Sequence, residues 1–149
     1  MVNRRAYDAY ADYIRQLRDG GATFLAGGRQ LIEGDLARGF YVEPVLAEAP
    51  IDHPLWKHEM FLPVLMVHRV PGRDEAMRLA NDSDMGLTAG IYGSAADVPW
   101  FHDNIEAGVT YANRAQGATT GAWPGYQPFG GWKGSGSTGK AIASFYYLA

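Results

Sequence analysis

Near the start of the chain, apolar side chains recur every three or four positions, which is the spacing of an amphipathic helix. The residues that share this spacing are Tyr7, Tyr10, Ala11, Ile14 and Leu17. Asn3 precedes them as a suitable N-cap, and Gly20 and Gly21 follow them as typical helix stops. The pattern therefore predicts a helix between Asn3 and Gly20.

Further along, the apolar spacing changes repeatedly between that of strands and that of helices. Strands are predicted at residues 23–26, 40–46, 64–70, 87–92 and 109–113. Helices are predicted at residues 55–61, 73–81 and 97–106, and residues 29–39 are a polar loop. Strands that alternate with helices of this length are typical of βαβ units. We expect an α/β fold, a mostly parallel sheet with packed helices.

The last third of the chain follows neither pattern. Glycines recur between residues 117 and 139, and Trp123, Tyr126, Phe129 and Trp132 lie among them. A long loop inside a compact domain is usually a lid, a binding loop or disordered, and the aromatic residues argue against disorder. The loop follows the strand predicted at 109–113, and ligands of open α/β sheets bind beyond the carboxyl ends of strands. We expect this loop to bind a ligand.

Composition excludes several classes of function. The 149 residues are 47% hydrophobic and 19% charged, which suits one globular domain. A formal net charge of -3 without a basic cluster argues against nucleic-acid binding. The absence of a long apolar run predicts a soluble, cytoplasmic protein with no membrane association. The sequence contains no cysteine (Cys 0), so this chain has no disulfide, no thiolate metal site and no cysteine nucleophile.

Two glycine-rich patterns overlap near the end of the chain. Residues 134–139 fit G-x-G-x-x-G, but no acidic residue follows Gly139 to bind a ribose. Residues 134–140 fit the phosphate-loop pattern G-x-x-x-x-G-K, but Ala141 stands where a Ser or Thr would bind magnesium. Turn-rich sequence explains both matches more simply. A phosphate-loop nucleotide binder is kept as a minor alternative.

The histidines do not suggest a metal site. The chain has four of them, at His53, His58, His68 and His102. Their separations do not match the spacings of known metal-binding motifs. We therefore expect no metal and assign no catalytic role to these side chains.

Four ordered motifs, however, resemble segments of one enzyme family. Residues 58–64 resemble E-E-x-F-G-P-V, residues 80–89 resemble A-N-x-x-x-x-G-L-x-A, residues 108–113 resemble G-x-x-x-x-N, and residues 128–136 resemble P-F-G-G-x-K-x-S-G. Together they cover nearly the whole chain, which is similar to the C-terminal portion of an NAD(P)-dependent aldehyde dehydrogenase. Two residues depart from the pattern: His58 replaces the first glutamate, and Leu62 replaces a glycine, which is expected to alter the backbone beside the cofactor.

The resemblance implies a cofactor-binding role for two residues. Glu59 would accept hydrogen bonds from the nicotinamide ribose hydroxyls, since an ionised carboxylate only accepts them. Phe61 would lie beside the nicotinamide ring. Without the resemblance, the preferred interpretation is that Glu59 is a solvated surface acid and Phe61 a core side chain. The implied cofactor is NAD, with NADP possible, and it is expected to bind only together with a missing dinucleotide-binding domain.

The segment at residues 117–125 resembles one subfamily in particular, the dehydrogenases of proline catabolism. These enzymes oxidise L-glutamate γ-semialdehyde, which is the open form of 1-pyrroline-5-carboxylate. In that subfamily a T-G-[SA] turn holds the substrate's α-carboxylate through backbone N–H groups, and Thr120, Gly121 and Ala122 match it. Phe129 would pack against the aliphatic part of the aldehyde. A plain surface turn is the alternative. The resemblance also implies that Asn113 orders the start of this loop.

The family mechanism needs a cysteine nucleophile and an activating glutamate, which the resemblance places upstream of Asn3. Residues 1–149 are therefore expected to be a partial catalytic domain, truncated at both ends, without catalytic residues and inactive alone. The implied partners are the remainder of the subunit, further copies in a homo-oligomer, and a small aldehyde substrate. The alternative is a non-catalytic interaction module or truncated remnant that associates with itself or with an intact family member.

Overall fold

The computed structural model describes residues 1–114 and 130–136, and the chain divides into two compact units, residues 1–69 and residues 70–149. The first unit is built on helix α1, Arg4–Asp19. The Asn3 side chain accepts a hydrogen bond from the Ala6 N–H at 2.9 Å and so caps the helix, as predicted. The residues of α1 that are buried lie along one stripe: Tyr7, Tyr10, Ile14 and Leu17.

The remaining elements of the first unit are short. Its strands are β1, Thr23–Ala26; β2, Gln30–Leu31; β3, Tyr41–Val42; β4, Val45–Glu48; and β5, Val64–Val67. It also has two 3₁₀ helices, Gly34–Arg38 and Pro54–Lys57. The main sheet has the order β1-β4-β5, in which β4 is antiparallel to β1 and parallel to β5. Strands β2 and β3 form a separate antiparallel pair.

The core of the first unit lies between α1 and one face of this sheet. Tyr10, Ile14 and Leu17 form a buried cluster with residues of β4 and of the segment that follows it. The latter residues are Val45, Ala47, Ala49 and Leu55. The Tyr10 hydroxyl donates a hydrogen bond to the Glu43 carbonyl, and burial raises the pKa of this hydroxyl.

Two loop and strand predictions differ from the structure. The strand predicted at 40–46 is divided into β3 and β4, because Pro44 has no N–H to contribute to a ladder. The Glu43 N–H instead donates to the Arg29 carbonyl at 2.9 Å. The polar loop predicted at 29–39 contains β2 and a 3₁₀ helix, which are too short to produce a detectable apolar period.

The second unit contains helices α2, Arg73–Asn81, and α3, Asp97–Asn104. Its strands, within residues 70–114 and 130–136, are β6, Met85–Gly86; β7, Thr88–Ile91; β8, Val109–Ala112; and β9, Trp132–Lys133. Strands β7 and β8 are parallel and are joined through α3, whereas β6 and β9 are antiparallel. Phe101, Ile105 and Ala107 form the buried core of this unit.

The α/β class is confirmed. Pairing is parallel in β4–β5 and β7–β8 and antiparallel in β1–β4, β2–β3 and β6–β9, so the β1-β4-β5 sheet is mixed. The helix predicted at 73–81 has the bounds of α2. Across the described ranges, no helix has the length and apolar character that a bilayer crossing requires.

Candidate cofactor-edge site

The first candidate site is the segment between the second 3₁₀ helix and β5, which carries Glu59 and Phe61. Its side chains alternate: Met60 and Leu62 are half-buried and pack against the core cluster of α1, while Glu59 and Phe61 are exposed. The Pro63 carbonyl accepts a hydrogen bond from the Val45 N–H at 2.9 Å, which attaches the end of the segment to β4. The two candidate side chains are therefore held at the surface by packing behind them.

Phe61 has an unusual backbone and an unusual environment. Its φ is 55°, in the left-handed region that a bulky side chain rarely adopts, and the residue is 88% exposed. Such strain persists only where the surrounding structure enforces it, here through the packed neighbours Met60 and Leu62. The left-handed residue is Phe61 itself and not Leu62, the residue that replaces a glycine. The alternative that Phe61 is a core side chain is wrong.

Glu59 is exposed, and within residues 1–114 and 130–136 its carboxylate has neither an ion pair nor a hydrogen-bond donor. Several acidic side chains of this unit are paired instead. Glu43, for example, accepts two hydrogen bonds from the Arg29 guanidinium at 2.6 and 2.9 Å, and this contact lowers the pKa of the Glu43 carboxyl. Glu59 is thus a solvated surface acid, as the alternative to the resemblance predicted, and its oxygens remain able to accept hydrogen bonds from a ligand.

His58 anchors the start of the segment. The Tyr13 hydroxyl and His58 Nε2 are joined by a hydrogen bond of 2.7 Å, and the two rings lie 5.5 Å apart. Because Tyr13 is on α1, this contact ties the residue before Glu59 to the longest helix of the unit. The replacement of the resembled glutamate by histidine therefore supplies a contact that sequence reasoning missed.

His53 has a structural role in the same region and is only 5% exposed. Its Nδ1 accepts a hydrogen bond from the Leu55 N–H at 3.2 Å, so the ring proton of the neutral form lies on Nε2. Nε2 is 3.1 Å from the Gln16 carbonyl, to which it donates. The ring thus caps the second 3₁₀ helix and fastens it to α1. Over the part of the chain that the structure describes, no three His, Asp or Glu side chains cluster as metal ligands.

In the second unit, the motif residue Asn81 bonds to the chain around the end of α3. Its side-chain N–H donates to the Asn104 carbonyl at 2.8 Å, and its Oδ1 accepts from the Glu106 N–H at 2.9 Å. Lys133 Nζ donates to the Asn81 carbonyl and forms an ion pair with Glu106 at 2.5 Å. The Asn81 and Lys133 side chains thus have partners within this unit and connect the ends of α2 and α3 to β9.

The closing motif contributes a second set of framework contacts. The Gly86 N–H donates to Ser135 Oγ at 2.9 Å, and the Gly134 N–H donates to the Asp84 carbonyl at 2.7 Å. The Ser135 N–H donates to the Trp132 carbonyl at 3.1 Å. Since these two backbone N–H groups at residues 134 and 135 already have acceptors, they are not free to bind a phosphate.

Asn113 fixes the start of the long loop, as the resemblance implied. Its Nδ2 donates to the Gly93 carbonyl at 3.0 Å, and its Oδ1 accepts from the Gly93 N–H at 2.9 Å. The Asn113 backbone is left-handed, with φ 51°, which asparagine tolerates better than most residues. The residue that follows β8 is therefore held at the end of β7.

The candidate substrate residues Thr120, Gly121, Ala122 and Phe129 lie outside the described residues. Their roles remain predictions. The described structure resumes at Gly130, which packs closely against Gly108: a Cβ added to Gly108 would lie 1.8 Å from the Gly130 carbonyl oxygen. The described residues on either side of the predicted loop are thus held by the Asn113 hydrogen bonds and by this glycine contact.

Sequence reasoning did not anticipate a cavity in the second unit. It measures about 320 Å³ and lies between α2, α3 and β7, with Met77, Ile91 and Phe101 among its lining residues. At its edge the Arg73 guanidinium stacks 4.6 Å over the Trp100 ring and donates to Asp97 at 2.8 Å. Hydrogen bonds from Ser94 and from Arg73 lower the pKa of the Asp97 carboxyl. The two charged side chains at the cavity edge, Arg73 and Asp97, are thus paired with each other.

Comparison with known proteins agrees with the motifs. The model of the Aldehyde dehydrogenase family matches residues 1–147. The chain is 34% identical to 4-trimethylaminobutyraldehyde dehydrogenase B of Danio rerio, over 98% of this chain and 29% of that protein. It is 33% identical to 1-pyrroline-5-carboxylate dehydrogenase of Bacillus thuringiensis (strain Al Hakam), over 93% of this chain and 26% of that protein.

A solved structure extends the likeness to the fold. Thermus 1-pyrroline-5-carboxylate dehydrogenase with bound NAD superposes with a TM-score of 0.86 at 33% identity, covering 99% of this chain and 27% of that one. The chain therefore spans less than a third of the length of each of these relatives. The family match over residues 1–147, together with the fold, shows that the chain belongs to the aldehyde dehydrogenase family, a family of oxidoreductases.

Proposed function

We propose that this chain supplies the cofactor-edge and substrate-anchoring part of an NAD-dependent dehydrogenase that oxidises L-glutamate γ-semialdehyde to glutamate. The observation that carries the proposal is the pair Glu59 and Phe61, an exposed carboxylate without a partner among the described residues beside an exposed aromatic ring. The first unit exposes several large apolar side chains, and Phe61, at 88%, is among the most exposed of them, which is compatible with a surface used for binding.

The residues present fit a nicotinamide dinucleotide. An ionised carboxylate accepts hydrogen bonds and suits a vicinal ribose diol, for which Glu59 is available. The Phe61 ring offers a flat apolar surface next to that carboxylate and would limit water at the nicotinamide. When bound, NAD accepts the hydride that the aldehyde carbon loses. NADP is a possible replacement, because this chain offers no residue assigned to the ribose 2′ position.

The substrate would be anchored by the predicted turn at residues 120–122. Backbone N–H groups of Thr120, Gly121 and Ala122 would donate to the α-carboxylate, and the glycine would allow close approach. Phe129 would contact the methylene groups between carboxylate and aldehyde. The anchoring of a carboxylate distinguishes this substrate from a plain aliphatic aldehyde.

Catalysis would require groups from outside this chain. The sequence has no cysteine, whereas the mechanism implied by the resemblance begins with attack of a thiolate on the aldehyde carbon. We therefore propose that residues 1–149 are part of a catalytic domain, are inactive alone and act with the remainder of a subunit. We also propose a cytoplasmic location, on composition, and a homo-oligomeric assembly, on the resemblance.

The test is to co-express the chain with the Thermus relative from which the matched segment has been removed, and to measure reduction of NAD with glutamate γ-semialdehyde. We expect activity in the co-expressed pair and none in either chain alone. Oxidation of 4-trimethylaminobutyraldehyde in preference to the semialdehyde would contradict the substrate assignment. Silence of a pair that forms a complex would favour the non-catalytic interaction module.

Two substitutions test the assigned residues. Glu59→Gln is expected to raise the KM for NAD about tenfold, because the weaker acceptor loses a charge-assisted hydrogen bond. Glu33→Gln is the control, as Glu33 is an exposed acid without a hydrogen-bonded cap role. Gly121→Val is expected to lower kcat/KM for the semialdehyde but not for pentanal, which has no carboxylate. Equal losses for both aldehydes would contradict the anchoring role.

A further inference from the structure

The cavity of the second unit has an apolar lining that its small side chains leave open. Phe101 and Ile105 are buried, Met77 of α2 is half-buried, and all three line the cavity. Ala76 and Ala80 also line it, and they lie one turn apart on the same face of α2. Because both are alanines, this face of α2 does not fill the space in front of α3. The resulting volume of about 320 Å³ lies within the range of small-molecule sites.

A cation and an aromatic ring form the edge of the cavity. Arg73 Nη1 donates to Asp97 Oδ1 at 2.8 Å, and the guanidinium carbon lies 4.6 Å from the centre of the Trp100 ring. Asp97 also accepts from the Ser94 N–H at 3.0 Å and from the Ser94 hydroxyl at 2.6 Å, so its oxygens are largely occupied. Arg73 Nε lies 3.8 Å from the Asp74 carboxylate, beyond hydrogen-bond distance. Across the described part of the chain, the Nε and Nη2 donors of Arg73 thus have no hydrogen-bond acceptor.

These two donors indicate which polar group a ligand would offer. The N–H bonds of Nε and Nη2 are parallel in a planar guanidinium and match the two oxygens of a carboxylate. Because Asp97 and Asp74 already offset the positive charge of Arg73, a ligand with one negative charge fits better than a doubly charged phosphate. The lining beyond the edge favours an apolar body, and Phe101 and Met77 offer ring and sulfur contacts to an aromatic one.

The cavity also reaches the end of a parallel strand. Its lining includes Ile91, the last residue of β7, and the next two residues, Tyr92 and Gly93. Ligands of open α/β sheets bind beyond the carboxyl ends of such strands. We propose that the cavity binds a small aromatic monocarboxylate, whose ring contacts the apolar lining and whose carboxylate accepts hydrogen bonds from Arg73. All of the described lining residues belong to the second unit, and this ligand is neither the cofactor nor the aldehyde of the proposed function.

Isothermal titration calorimetry of the full chain tests the site with matched probes. Hydrocinnamate carries both the ring and the carboxylate, hydrocinnamyl alcohol lacks the carboxylate, and acetate lacks the ring. We expect hydrocinnamate to bind at a single site and at least about tenfold more tightly than either of the others, because the ring is buried and the carboxylate gains charge-assisted hydrogen bonds. L-Glutamate has no apolar body, and we expect it to show no saturable binding.

Substitutions assign the two parts of the ligand to two parts of the cavity. Arg73→Gln is expected to weaken hydrocinnamate about tenfold and to leave hydrocinnamyl alcohol unchanged, since only the carboxylate uses the guanidinium. Arg78→Gln is the matched control and should change neither affinity, because Arg78 lies on the same helix, pairs with Glu75 at 2.7 Å and is absent from the described lining. Ala80→Leu is expected to abolish binding of both probes by filling the cavity. Ala80 is exposed, so the larger side chain leaves the buried core intact.

Four results would overturn the proposal, each in chains whose circular dichroism is unchanged. They are an absence of saturable hydrocinnamate binding, equal affinities for hydrocinnamate and its alcohol, binding that survives Ala80→Leu, and losses of equal size in Arg73→Gln and Arg78→Gln. None of these measurements involves reduction of NAD. The ligand site and the proposed dehydrogenase function can therefore fail independently of each other.

Discussion

The two units use their motif residues in opposite ways. In the first unit, Glu59 and Phe61 are exposed, and the contacts that hold them come from neighbouring residues such as Met60. In the second unit, Asn81 and Lys133 bond to each other and to nearby backbone. The motif side chains of the first unit point to solvent, whereas those of the second unit form hydrogen bonds within that unit.

The difference shows that resemblance to a motif does not identify ligand contacts by itself. A motif side chain that is exposed and has no partner is available to a ligand, as Glu59 is among the described residues. A motif side chain with satisfied hydrogen bonds, such as that of Asn81, is needed to build the site's surroundings. The exposure of a motif side chain and its hydrogen bonds therefore distinguish a candidate ligand contact from a structural support, which the sequence alone does not.

Gly108→Ala is expected to have the largest effect on the free energy of unfolding, because Gly108 lies in the second unit where two backbone segments are in direct contact. The added Cβ would lie 1.8 Å from the Gly130 carbonyl oxygen and 2.9 Å from the Gly131 Cα, atoms that cannot rotate away. We expect a loss of about 3 kcal/mol in the free energy of unfolding, the upper part of the range for overpacking. Urea unfolding followed by circular dichroism measures it.

The matched control for this substitution is Gly72→Ala. Gly72 precedes α2 with an extended backbone, and an added Cβ there would have no atom within 4 Å. We expect its effect on unfolding to be within about 0.5 kcal/mol. Equal effects of the two substitutions would show that Gly130 does not pack on Gly108 as described, and the framework role of the closing motif would be lost.

Lys133→Met tests the same framework through a side chain and is expected to cost less. The change keeps most of the aliphatic stem but removes the ion pair with Glu106 and the bond to the Asn81 carbonyl. Because the Lys133 side chain is partly covered, we expect a loss of about 1–2 kcal/mol in the free energy of unfolding. Arg38→Met removes a fully solvated ion pair with Asp35 and should change stability little. A Lys133→Met chain as stable as wild type would contradict the framework role.

Local patterns in the sequence were sufficient to predict most of the elements. The apolar period and the cap at Asn3 predicted α1, and the acidic first turn and apolar face predicted α2 with its observed bounds. Each of these signals acts over a few residues. The division of the predicted 40–46 strand was missed because a proline on a short strand was accepted although it removes a ladder hydrogen bond.

The candidate site was less predictable, since it depends on contacts between distant residues. Lys133 and Asn81 are 52 positions apart, and Tyr13 and His58 are 45 apart. No periodicity links such positions. Glu59 and Phe61 were identified as candidates from the resemblance alone. Their exposure could be established only from the three-dimensional structure.

Tyr13→Phe is expected to have the smallest effect and to act on the first unit only. The substitution keeps the ring that packs on the core and beside His58, but it removes the hydroxyl bonded to Nε2. We expect a loss of about 0.5–1 kcal/mol, which would speed hydrogen exchange at residues 58–62 about two- to fivefold. Tyr41→Phe is the control, because the Tyr41 ring is half exposed and its hydroxyl has no partner in the described ranges.

The position of the change in exchange decides what the Tyr13–His58 contact does. Faster exchange confined to residues 58–62 would mean that this contact orders the segment carrying Glu59 and Phe61, so the outward-facing site depends on support from α1. His58→Glu should then preserve most of the protection, since a carboxylate still accepts from the Tyr13 hydroxyl. Uniformly faster exchange throughout residues 1–69 would instead make Tyr13 part of the framework. In that case only Glu59 and Phe61 of the first unit would be exposed motif residues without a structural role, and the difference between the units would be limited to these two side chains.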